Sequence, residues 1–87
     1  MKILKYTIPL TGCVLSIPRS SSFLSCQLQN NQIVVWYIVN VEKRPLIELT
    51  FTVIGTGHDV PEPLTYANFL QTIQMGPLVL HVFSHCA

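Results

Sequence analysis

The run Ile33-Val34-Val35-Trp36-Tyr37-Ile38-Val39-Asn40-Val41 is β-branched or aromatic almost throughout, and it places apolar side chains on both faces of an extended chain. Such residues lose rotamer freedom in a helix and fit a pleated surface, so the run reads as a strand. A strand with no polar face has to be covered on both sides. It therefore lies at the centre of a sheet or in a subunit interface.

Period-two alternation extends this reading along the chain. Ile3, Lys5 and Thr7 alternate with Leu4, Tyr6 and Ile8 up to Pro9, and a second short strand runs from Val14 to Ile17, closed by Pro18. Phe23 to Gln29 alternates after the polar link Arg19-Ser20-Ser21-Ser22, and Asn30-Asn31 then supplies a hairpin turn, since asparagine tolerates left-handed backbone. Beyond the turn Lys43-Arg44-Pro45, Glu48, Thr50 and Thr52 alternate with Leu49, Phe51 and Val53. Leu64 to Asn68 is either a helical turn or an irregular crossing. Phe69 to Gln74 and Leu78 to Phe83 form two strands joined by Met75-Gly76-Pro77. The expectation is one mainly β domain over 1–87, of about six or seven mostly antiparallel strands in a small sheet or sandwich, with room for one short helix.

Composition bears on how such a domain covers its surface. Of 87 residues, 49% are hydrophobic and only 10% charged, against about a quarter charged in an average soluble domain. So small a chain buries a modest share of its surface, and the apolar excess predicts a homo-oligomer. A net charge of +1, with Lys2, Lys5 and Arg19 scattered, gives no field for duplex nucleic acid or an anionic membrane.

Cys13, Cys26 and Cys86 are odd in number and lack Cys-x-x-Cys spacing, so neither a disulfide framework nor a structural zinc site is expected. A reducing, cytoplasmic setting fits them. Leu10-Thr11-Gly12-Cys13 has the form of a lipobox, but the apolar stretch before it is only Tyr6 to Leu10 and contains Pro9, against about 7–15 apolar residues in a signal peptide.

Chemistry concentrates where a strand runs into Gly55-Thr56-Gly57-His58-Asp59-Val60-Pro61. Glycines here either shape a turn or expose amides to an anion, with His58 as a hydrogen-bond donor; alternatively Asp59 merely caps the turn. No Gly-Lys-Ser/Thr follows, which excludes a Walker loop. His81, between Leu80 and Val82, is a locally bonded core or interface residue or pairs with His58 in a pocket; His85 is expected to fray near the terminus. The His81–His85 spacing suits metal ligands on a helix rather than a strand, so no metal site and no cofactor are expected. Trp36, Tyr37, Tyr66 and Phe69 either stack on a base or fill a core. Lys43 and Arg44 either clamp phosphates across a subunit boundary or form a solvated pair. Cys13 and Cys26 lie in apolar strands that disfavour a thiolate, and Glu42, Glu48, Asp59 and Glu62 show no catalytic pairing, so the chain is read as non-enzymatic.

Lys5-Tyr6, Gln29-Asn30-Asn31 before Val34-Val35-Trp36, Gly55-Thr56-Gly57-His58, Phe69-Leu70-Gln71-Thr72-Ile73-Gln74-Met75 and Leu78-Val79-Leu80-His81-Val82-Phe83 follow one another in an order that resembles a family of small bacteriophage and prophage proteins. Asn31, Gln71 and Met75-Gly76-Pro77 depart from positions that are commonly glycine-rich there, which touches turn geometry more than chemistry. The resemblance implies a compact phage protein in the host cytoplasm without an assigned activity. Proteins of this kind often act as stoichiometric binders against a host defence, including oligomers that sequester nucleotide signals. The functional expectation is a binder acting by occupancy on an anionic, nucleotide-like ligand, through Gly55, Thr56, Gly57, His58, Asp59, Trp36, Lys43, Arg44 and His81. The competing expectation is an inhibitor of a host protein, or a phage structural accessory.

Overall fold

A computed structural model describes residues 1–86, and of Tyr66 the backbone alone. Seven strands form in chain order: β1 (Lys2–Ile8), β2 (Cys13–Pro18), β3 (Ser22–Gln29), β4 (Gln32–Val39), β5 (Leu46–Gly55), β6 (Asn68–Met75) and β7 (Leu78–Cys86). One 3-10 turn, Glu62–Tyr66, settles the ambiguous segment as helical, with Pro63 in its first turn where a missing N–H costs nothing. The side chain of Tyr66, expected to stack on a base or fill a core, lies outside what is described.

The strands divide into a three-stranded sheet ordered β1-β4-β3 and a four-stranded sheet ordered β2-β5-β7-β6, all pairs antiparallel. The strand β4, apolar from Ile33 on, is the central strand of its sheet, one of the two places its two-sided pattern allows. Its inward residues Ile33, Val35, Tyr37 and Val39 meet Ile17, Phe51, Ile73, Leu80 and Val82 from the other sheet in a single core. Phe51 and Val82 are buried completely enough that each contributes roughly 2–3 kcal/mol of burial energy.

The outer face of β4 has no second layer over it, yet Val34 is buried. Lys5 and Gln29, on the flanking strands, reach across it, with Lys5 Nζ donating to Gln29 Oε1 at 2.9 Å. Long polar side chains thus cover apolar surface with their stems while their heads stay wet.

Turn chemistry matches the sequence. Asn30 and Asn31 sit at φ 51° and 61°, the left-handed pair that a two-residue hairpin of the I′ class needs. Gly12 turns the chain from β1 into β2 at φ 83°, and a Cβ there would lie 2.5 Å from the Phe51 carbonyl oxygen. The lipobox-like segment forms the tight turn between β1 and β2, with Cys13 half-buried at the start of β2. His85 is not frayed: it pairs with Thr50 and is half-buried, since β7 continues to Cys86.

No helix among the described residues is long and apolar enough to cross a membrane.

Candidate functional site

Strand β5 delivers Ile54 and Gly55 beside β7, in register with His81 and Leu80, and β6 sets Thr72 opposite His81 on the other side. Ile54, Thr72 and His81 therefore share the outer face of the four-stranded sheet. A β-bulge between Phe69 and Gln71 fixes this register on the β6 side.

After Gly55 the chain turns sharply. The His58 N–H donates to the Gly55 carbonyl at 3.1 Å, and Gly57, third in the turn, takes φ 89°. That is the position where a type II turn demands positive φ, and glycine adopts it without a Cβ clash. Gly55 has no such requirement. The ring of His58 folds over it, so that a Cβ on Gly55 would meet His58 Cδ2 at 3.5 Å, an ordinary contact. The Thr56 N–H donates to the Val79 carbonyl at 3.0 Å, which ties the turn to β7.

This turn carries the Thr56 hydroxyl to the His81 ring. Thr56 Oγ1 lies 2.7 Å from Nε2, and Thr72 Oγ1 lies 2.9 Å from Nδ1. A neutral imidazole donates from one nitrogen and accepts at the other, so one threonine hydroxyl donates to the ring while the other accepts from it. Both nitrogens being engaged, the ring plane is fixed. Beside it lies a cavity of about 220 Å³, walled by Thr56, His58, Val60, His81 and Phe83 together with the glycine backbone. Its surface combines apolar flanks with hydrogen-bonding edges and includes no carboxylate, lysine or arginine.

Five of the expected site residues, Gly55, Thr56, Gly57, His58 and His81, line one cavity, although the partners of the His81 ring are Thr56 and Thr72 rather than His58. Asp59 is exposed and does not line it. Trp36 lies on the outer face of the other sheet, half-buried between Lys5 and Ser25. Lys43 and Arg44 sit in the β4–β5 connection, where Arg44 Nη1 donates to the carbonyls of Val41 at 3.2 Å and Lys43 at 2.8 Å. These residues do not join the cavity within one chain. Thr72 and Phe83 do belong to the cluster, and alternation puts both on the outer face. Phe83 follows His81 by two residues on β7 and so shares its face, whereas only the cross-strand register reveals Thr72 beside it.

Burial of Cys26 in the core pushes its thiol up to about 11, and desolvation raises that of Cys13 as well. Both remain protonated near neutrality, in keeping with inert structural cysteines. No group of three or more His, Cys, Asp or Glu side chains arranged to hold a metal occurs among the described residues.

Residues 1–86 match the family described as "Domain of unknown function (DUF7352)", and the chain belongs to it. No curated protein and no solved structure matches the chain.

Proposed function

We propose that this domain is a non-enzymatic binder that takes a compact nucleotide-like ligand into the cavity beneath the Gly55–Pro61 loop and acts by occupancy. One observation carries the reading: His81 is clamped at both ring nitrogens by Thr56 and Thr72 in the wall of a cavity that pairs Phe83 and Val60 with the His58 ring. With both nitrogens engaged the His81 ring serves as a fixed wall rather than a free donor, and a wall ordered before binding lowers the cost of capture. At about 220 Å³ the cavity has room for a flat heterocycle, leaving phosphates at the solvent side near the turn.

Self-association is part of this proposal. Ile3 at 64%, Phe69 at 56% and Val14 at 53% exposure leave apolar surface on both sheets, and Lys43 and Arg44 reach a phosphate only from a neighbouring copy. The phage setting implied by the order of motifs suits a sequestering protein that works one ligand per site in the host cytoplasm.

The same exposed apolar side chains favour the second reading, in which they dock on a host protein or a virion component. Calorimetric titration with ribonucleoside monophosphates and cyclic dinucleotides separates the two. Capture by the wild type and loss in His58→Ala, with assembly unchanged, supports the binder. Absence of heat with every nucleotide, together with a co-purifying host polypeptide, supports the second.

A further inference from the structure

The two sheets do not close completely at the end where the β2–β3 connection approaches the start of β6. A cavity of about 330 Å³ remains there between them, walled by Ile17 and Ile47 from one side, Phe23 and Tyr37 from the other, and Leu70 from β6. Ligand pockets span roughly 300–1,000 Å³, which sets this half-open cleft, with the exposed Phe23 and Phe69 at its mouth, at the small-molecule end of that range.

Three polar residues, Ser21, Asn68 and Ser84, break its apolar wall, and of these Asn68 is exposed. Ser84 is 4% exposed and occupies an inward position on β7 opposite Phe51, following Leu80 and Val82 on the same face. The hydroxyl of Ser21, at the cavity edge, is buried and has no hydrogen-bond partner. A buried hydroxyl without a partner is costly, and serine has three staggered χ1 wells through which it can turn toward an occupant. No Asp, Glu, Lys, Arg or His lines the space. A charged ligand would lose its hydration there without compensation.

We infer that this cavity is a second ligand site, distinct from the one beneath the Gly55–Pro61 loop, which takes a small uncharged molecule with an aromatic or branched alkyl body and one hydrogen-bonding group. The apolar body fills the gap between Ile17, Ile47 and Tyr37, and the single polar group satisfies Ser21.

The test uses p-cresol and toluene, which differ by one hydroxyl, titrated into the 15N-labelled protein and followed by amide shifts. The inference predicts saturable shifts at Ser21, Tyr37, Leu70 and Ser84 for both probes, with p-cresol binding about tenfold tighter because of one hydrogen bond to a buried partner. Ser21→Ala, which removes an unpaired group, is predicted to fold and to abolish the preference for p-cresol. Ile47→Trp, which fills the space, is predicted to abolish binding of both. Absence of saturable shifts at these residues in the wild type overturns the site. So does a preference for p-cresol that persists in Ser21→Ala, or shifts there that follow protein concentration without a probe, which would mean a second copy fills the gap.

Discussion

The imidazole of His81 stands 2.7 Å from the hydroxyl of Thr56, a bond that joins the wall of the four-stranded sheet to a glycine turn 25 residues earlier in the chain. Thr72 holds the opposite ring nitrogen, so the three side chains form one chain of hydrogen bonds on an open face. Thr56→Val and Thr72→Val are each expected to cost about 0.5–1 kcal/mol, the lower part of the range for a single hydrogen bond, since the cluster is accessible to water. The double variant should cost less than the sum, because both bonds depend on one ring. Urea denaturation of the four proteins measures the coupling; strict additivity would show that the ring is not shared in this way.

Two glycines with similar φ should respond differently to the same substitution. Gly12→Ala places a Cβ 2.5 Å from the Phe51 carbonyl oxygen, whereas at Gly57 a Cβ meets nothing within 4 Å. Gly57→Ala is expected to cost about 1–2 kcal/mol of left-handed strain, and Gly12→Ala clearly more, since β1 or β5 must also shift. Thermal unfolding of the pair reports the difference.

Asn31, at φ 61°, is the second residue of the β3–β4 hairpin turn, the place where the Asn-Gly pair is favoured. Asn31→Gly should relieve left-handed strain by more than the added backbone entropy takes back, for a net gain of about 0.5 kcal/mol. A lowered urea midpoint would show that the Asn31 side chain contributes to the turn in a way its backbone angle does not reveal.

Much of the architecture was legible because alternation is a local signal. The two-sided run around Trp36 marked the central strand, Asn30-Asn31 marked its hairpin, and Pro9, Pro18 and Pro45 marked strand boundaries. The Gly-Thr-Gly-His segment was legible as a turn, while the bond from its Thr56 to His81, expected either to bond locally or to pair with His58, was not. Division into two sheets was not legible, since nothing local says that β1 pairs with β4 while β2 pairs with β5. Thr72 escaped notice for the same reason: its contact with His81 depends on the bulge near Phe69, a property of the pairing. Trp36, Lys43 and Arg44 were drawn toward the site by residue type alone: Trp36 lies on the other sheet, and Lys43 and Arg44 precede β5 at the end opposite Gly55, so none lines the cavity within one chain. His85 was misread because the last strand is longer than its apolar run.

Alkaline pH should destabilise the fold. Cys26 is 2% exposed, and burial raises its thiol from 9.0 to about 11; the phenols of Tyr6 and Tyr37 are also raised by burial. Each group is neutral in the folded chain over a range where the unfolded chain has begun to ionise. The stabilisation is complete below pH 9 and is lost as pH rises toward 11, by about 2–3 kcal/mol for the thiol alone. Urea midpoints from pH 8 to 11 should therefore fall, and the fall should be shallower in Cys26→Val. A flat profile would mean that Cys26 is not desolvated as its position in the core implies.

Native mass spectrometry of the protein expressed in bacterial cells, run beside His81→Ala, tests the proposed capture most directly. The wild type should appear as a defined oligomer carrying one intact nucleotide-sized adduct per chain, and His81→Ala should keep the subunit count and lose the adduct. Bare polypeptide in the wild type, or the same adduct in both proteins, would contradict capture in the cavity beneath the Gly55–Pro61 loop.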